Sequence, residues 1–154
     1  LGAAVAARAA VLALGEAGAA EVVVCNRSPE RGAAAAALVP TGRAVDLTEH
    51  PMDLNAVLAD ADLLINATPV GMARDDGSPV PREALHPGLV VSDLIYHPSL
   101  TPLMEAAIAV GAQVHNGLGM LVGQAAAAFE IWTGQPAPID AMMRAAAGEP
   151  HLEN

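Results

Sequence analysis

Two guanidiniums stand four residues apart in Asn26-Arg27-Ser28-Pro29-Glu30-Arg31, directly after the apolar run EVVVC at 21–25. The chain has seven arginines and no lysine, so the pair is a large share of its positive charge. A planar guanidinium matches a phosphate in charge and in hydrogen-bond geometry, and Asn26 and Ser28 add short polar groups beside it. At the end of the second strand of a dinucleotide-binding sheet, an Asp or Glu accepts the ribose 2′-hydroxyl, whereas an Arg accommodates a 2′-phosphate. The set therefore points to a clamp for the 2′-phosphate of NADP, with Arg27 also placed to stack on the adenine face. The competing reading is a pair of surface arginines, balanced by Glu30.

A dinucleotide needs a second anion site for its pyrophosphate, and the chain opens on a candidate, LGAAVAAR. Gly2 can make the tight turn, and Ala3, Ala4, Val5 and Ala6 lead into a helix whose free N–H groups and positive dipole end face the anion. Ala4 and Val5 stand where further glycines would allow the closest backbone approach, so their β-carbons narrow it. The competing reading is an ordinary alanine-rich helix start.

Residues 3–17 are rich in alanine and leucine and read as a helix ended by Gly18. EVVVC then reads as a strand buried on both faces, because it lacks polar alternation. Pro29 starts a helix that runs to about Leu38. A short strand near 43–45 and a short helix near 54–58 precede DLLINA (62–67), which repeats the buried-strand pattern, as do LVVSDL (89–94) and AQVHN (112–116). Pro102 opens a helix to Val110, closed by Gly111. Helices over 118–133 and 138–147 complete the chain. Alternating strands and helices predict an α/β fold, a Rossmann-like doubly wound parallel sheet. Because the chain opens already at the glycine turn, that sheet is expected to lack its first strand.

At 154 residues the chain suits one domain spanning 1–154. A formal charge of −10 argues against nucleic acid or an anionic membrane as partner, since both call for a dense basic footprint. Cys25 is the single cysteine, which excludes an internal disulfide and a thiolate metal cluster and fits a reducing, cytoplasmic setting.

INATPVGM (65–72), VVSDLIYHPSLTPLM (90–104) and NGLGMLVGQAAAAFEIWTG (116–134) follow NRSPER in this order. Together they resemble the NADP-binding, carboxyl-terminal half of the shikimate/quinate dehydrogenase family, over essentially the whole chain. The resemblance implies reversible hydride transfer between NADP and the hydroxyl/carbonyl pair of shikimate and 3-dehydroshikimate, in aromatic amino-acid biosynthesis. By similarity Gly2, Ala3, Ala4, Val5 and Ala6 form the pyrophosphate loop, and Asn26, Arg27, Ser28 and Arg31 the 2′-phosphate clamp. Thr68 lies along the cofactor, and Leu94, Gly117 and Met120 surround the nicotinamide. Tyr96 and Gln124 reach the substrate.

Family members carry an amino-terminal substrate domain that supplies a catalytic lysine and an aspartate, and nothing in this chain matches it. No catalytic residue and no metal ligand is therefore expected here, and the chain alone is expected to bind cofactor without turnover. The resemblance also allows a homodimer. Two alternatives stay open: a non-catalytic nucleotide- or partner-binding module, and a quinate dehydrogenase of the same family.

Overall fold

In a computed structural model, residues 1–48, 53–73 and 77–148 are described; the last six residues of the expected 1–154 domain lie outside them. Among the described residues five strands and six α-helices alternate along the chain. Strand β1 (Val22–Asn26) pairs in parallel with β2 (Gly42–Asp46), Val22 opposite Gly42 and Asn26 opposite Asp46. Helix α2 (Pro29–Ala36) makes the crossover between them, as parallel neighbours require. Strands β3 (Leu63–Asn66), β4 (Val90–Asp93) and β5 (Gln113–His115) form a second parallel sheet in that order.

The two sheets meet at one dipeptide. The Leu1 amino group donates to the Ile65 carbonyl at 2.6 Å, and the Leu1 carbonyl accepts from the Ala67 amide at 3.0 Å. On the other side the Gly2 amide donates to the Cys25 carbonyl at 3.0 Å. The carboxyl ends of β1 and β3 are thereby held on either side of the turn into α1 (Val5–Glu16).

The helices carry the stop and start signals expected of them. Pro29 and Pro102 occupy first-turn positions of α2 and α4 (Pro102–Ala109), where a missing N–H costs nothing. Thr101 caps α4 by accepting from the Met104 amide at 3.3 Å. Helix α5 (Leu118–Thr133) ends at Gly134 in the left-handed region, φ +65°, before α6 (Ile139–Ala146). Helix α3 (Asp53–Ala59) lies between β2 and β3.

Two local expectations are corrected, and one unforeseen turn is added. Helix α1 begins at Val5 rather than residue 3, because Ala4 is extended with ψ −171°. A 3₁₀ turn at Arg82–Ala84 follows two prolines that hide it from helical periodicity. In β5, Gln113 and His115 are exposed, because this short strand is the edge of its sheet and is not covered on both faces.

Two apolar clusters fill the interior. One joins Leu64, Leu89 and Val91 to Leu58 of α3 and to Leu103 and Ala107 of α4; the other sets Val22 and Val24 against Val11 of α1 and Ala35 of α2. Leu89, Val91 and Leu103 are fully buried, each such side chain contributing about 1.5–3 kcal/mol. Tryptophan and tyrosine take no part: the single tryptophan, Trp132, is 83% exposed and Tyr96 is 50% exposed.

Candidate functional site

The turn at Gly2 has φ +93°, and among the described residues only glycines have a positive φ. Ala3 and Ala4 therefore sit in ordinary backbone, and the turn needs one glycine for its conformation rather than three. A Cβ on Gly2 would also come within 3.1 Å of the Ala67 carbonyl oxygen and 3.3 Å of the Thr68 methyl, so Gly2 is fixed by close approach as well as by φ. Ala4 precedes α1 without a side-chain cap. The first amides of α1 thus have no intrahelical partner, and Val5 is 84% exposed. Free first-turn amides of a helix are groups that can bind an anion.

One residue beyond the Cys25 carbonyl that binds Gly2, the chain leaves β1 at Asn26. The Asn26 side-chain amide donates to the Ser28 carbonyl at 2.9 Å, and that same carbonyl accepts from the Gly32 amide at 2.9 Å. This pins the loop into the first turn of α2. Ser28 stands at the N-cap with its hydroxyl unused as a cap. Arg27 and Arg31 are both exposed. Neither pairs with Glu30, and the ion pair shown among the described residues is elsewhere, Arg43 to Glu21 at 2.8 Å. The two guanidiniums are open to a ligand.

At the end of β3, Thr68 donates both its amide (3.1 Å) and its hydroxyl (2.7 Å) to the Asn66 side-chain oxygen. It also accepts from the Val70 amide at 3.3 Å. The hydroxyl hydrogen is thus committed inside the protein, and it is the Thr68 methyl that meets the Gly2 turn. Asn66 in turn donates to Asp93 Oδ1 at 3.0 Å, and Asp93 Oδ2 accepts from the Thr101 hydroxyl at 2.7 Å. Asn66, Asp93 and Thr101 are completely buried. Sequence reading assigned no role to these three. The available signal for two of them was a polar residue at the end of a mainly apolar run, Asn66 after Leu-Leu-Ile and Asp93 after Val-Val-Ser.

Leu94 follows β4 half-buried, its amide donating to the Asn66 carbonyl at 2.9 Å. The Gly117 amide donates to the Ile95 carbonyl at 3.0 Å, and a Cβ on Gly117 would overlap the Leu94 carbonyl. Gly117 therefore lets the turn into α5 close onto the end of β4. Met120 and Gln124 lie three and seven residues further on, one stripe of α5, and both are exposed. Tyr96 is half exposed beyond β4, its hydroxyl without a hydrogen bond among the described residues. The structure thus places Gly2, Arg27, Thr68, Leu94 and Gly117 at or just past the carboxyl ends of parallel strands, where α/β sheets bind ligands.

A cleft of about 500 Å³ opens between β1 and β3, lined mainly by apolar side chains such as Val11, Val24 and Leu64 with Glu21, Arg43, Asp60 and Asp62 also on its walls, and of the candidate residues only Gly2 lines it. Among the described residues no group of His, Cys, Asp or Glu could hold a metal ion, and no helix is long and apolar enough to cross a membrane. Cys25 is buried, and burial pushes its thiol pKa up.

Residues 117–147 match the family described as the shikimate 5′-dehydrogenase C-terminal domain. Shikimate dehydrogenase (NADP(+)) of Natronomonas pharaonis is 45% identical over 146 residues, covering 94% of this chain and 53% of that protein. The structure of shikimate 5-dehydrogenase from Thermus thermophilus in complex with NADP(H) and shikimate is 39% identical, with a TM-score of 0.82 over 97% of this chain and 53% of its own. Quinate dehydrogenase from Corynebacterium glutamicum in complex with NAD is 28% identical with a TM-score of 0.87, over 96% and 53%. The chain spans about half the length of the curated relatives it matches. By sequence and by fold the chain is similar to the carboxyl-terminal half of shikimate dehydrogenases.

Proposed function

We propose that the chain is the NADP-binding half of a shikimate dehydrogenase, which interconverts 3-dehydroshikimate and shikimate. The observation that carries this reading is that Arg27 and Arg31 are exposed, without an ion pair among the described residues, just past the end of β1, which the Cys25 carbonyl ties to the Gly2 turn at 3.0 Å. The fit to the cofactor rests on the residues themselves. The Gly2 turn has no Cβ and the first amides of α1 lack intrahelical partners, which suits a pyrophosphate. The two guanidiniums, with Asn26 and Ser28, suit a 2′-phosphate dianion.

When bound, the cofactor would carry the hydride, donated by NADPH to the carbonyl and taken back by NADP⁺ from the hydroxyl. The chain's own residues bind and orient. Gly2 through Ala6 hold the pyrophosphate, Arg27 and Arg31 hold the ribose phosphate, and Thr68 borders the path between. Leu94, Gly117 and Met120 wall the nicotinamide, while Tyr96 and Gln124 offer uncharged hydrogen-bonding groups to the substrate. Proton transfer is left to groups contributed by the other half of the relatives' length, so the isolated chain binds without turnover. A cytoplasmic setting, in keeping with a free Cys25, and a homodimer belong to the same reading.

The test is the dissociation constant of the chain for NADP and for NAD, with Arg27→Asp and Arg31→Ala beside the parent. Preference for NADP in the parent, lost in Arg27→Asp with NAD little changed, supports the clamp. Equal losses for both cofactors refute it, and a parent that prefers NAD turns the reading toward an NAD-using quinate dehydrogenase.

A further inference from the structure

We infer that Asp93 is a positioning residue that locks the two walls of the candidate cofactor groove to each other, an inference that rests on the proposed reading of that groove. One wall is the Thr68 turn, whose methyl abuts Gly2; the other is Leu94, whose carbonyl abuts Gly117. Asp93 lies between them, wholly buried. Its Oδ1 accepts from the Asn66 side chain at 3.0 Å and from the Ile95 amide at 3.2 Å. Its Oδ2 accepts from the Thr101 hydroxyl at 2.7 Å.

Through Asn66 the carboxylate controls the Thr68 turn, since Asn66 Oδ1 receives both the Thr68 amide and its hydroxyl, while Asn66 Nδ2 also donates to the Val70 carbonyl at 3.2 Å. Through Ile95 it controls the segment whose carbonyl receives the Gly117 amide. Through Thr101 it is tied to the start of α4, because the same hydroxyl oxygen caps the Met104 amide.

Every proton in this chain of bonds is assigned by its partners. The Thr101 hydroxyl donates to Asp93 and accepts from the Met104 amide, so its one hydrogen is spent on the carboxyl group. Among the described residues no buried side-chain polar atom lacks a partner. A satisfied buried network of this kind rigidifies, and removing one member leaves the others with unmet groups. Thr101 is the useful handle, since it bonds to neither wall and reaches them only through Asp93.

The experiment compares Thr101→Val, Thr101→Ser and Ala107→Gly in the full chain, well below their melting temperatures. Ala107 is buried in the same helix and makes no bond to the network, so its replacement reports simple loss of helix stability. Thr101→Val is expected to raise the dissociation constant for NADP about tenfold, a change of about 1.4 kcal/mol. Thr101→Ser is expected to restore it to within about twofold, and Ala107→Gly to leave it unchanged. Equal weakening by Thr101→Val and Ala107→Gly overturns the inference.

A second readout does not depend on cofactor. Amide hydrogen exchange in Thr101→Val should accelerate together at Thr68 and Ile95, with both protected in Ala107→Gly. Acceleration confined to Met104 and the rest of α4 overturns the inference even if NADP binds. If the parent fails to bind NADP, the cofactor reading falls, and joint exposure of Thr68 and Ile95 still decides the role of Asp93. Should Thr101→Val not fold, Asp93→Asn keeps the acceptor for Asn66 and Ile95 and inverts only the bond to Thr101; the same pattern of exchange is expected.

Discussion

Replacing Gly117 and Gly123 by alanine, one at a time, should move stability in opposite directions although both belong to the same helical segment. Gly117 has φ −74°, which any residue adopts, so its replacement carries no conformational penalty of the left-handed kind. Its penalty is steric: the new methyl overlaps the Leu94 carbonyl. Relief requires the α5 turn to move off the end of β4, and that breaks the 3.0 Å bond from the Gly117 amide to the Ile95 carbonyl. Loss of such a bond costs about 1 kcal/mol and forced overpacking about 1–3 kcal/mol more. The sum, about 2–4 kcal/mol, corresponds to roughly 6–12 °C in a domain of this size.

Gly123 lies inside α5, exposed, with no atom within 4 Å of the position a methyl would take. Alanine there should raise stability by about 0.5–1 kcal/mol. Thermal melts followed by far-ultraviolet circular dichroism measure both. If Gly117→Ala melts at or above the parent, the close approach of α5 to β4 is not a constraint and the assigned wall of the site is wrong. If both variants fall together, alanine is harmful in α5 for a reason other than contact with Leu94.

Three further outcomes are expected. Leu89→Ala should cost about 3 kcal/mol in a urea titration, because Leu89 is fully enclosed in the larger cluster; a loss under about 1 kcal/mol would mean that the cluster refills. Cys25 has its folded-state pKa raised by burial, so the unfolded chain ionises first as pH rises. The stability it contributes is complete below the ordinary thiol range and declines above it, and Cys25→Ala should flatten that alkaline decline in melts taken across the range. Arg43→Ala removes an exposed ion pair with Glu21 and should change the melting temperature by no more than about a degree or two at moderate salt.

Much of the fold was legible because its strands are short apolar runs fenced by proline and glycine. EVVVC, DLLINA and LVVSDL all became strands within a residue or two, and the 118–133 helix matched its expected bounds. Edge and centre were harder to separate. The run at 112–116 alternates apolar Ala112 and Val114 with polar Gln113 and His115, and the two polar residues face outward; that alternation, the mark of a strand covered on one face, was the sign available in the sequence. At the candidate site, the position of the arginine pair was readable from its place just after a buried strand. Asn66, Asp93 and Thr101 were not, because a polar residue ending an apolar run looks like a loop boundary until its partner, 27 residues away for Asn66 and Asp93, comes beside it.

The exclusion of tryptophan and tyrosine from the interior has an optical consequence. Trp132 stands in solvent near the end of α5, so its emission reports that helix end and is almost blind to melting of either apolar cluster. Tyr96, the sole tyrosine, stands at the mouth beyond β4. Excitation that reaches tyrosine but is corrected for tryptophan therefore gives a signal local to the candidate site, with no label to be introduced. A ligand that settles there should change it while leaving the Trp132 emission where it was.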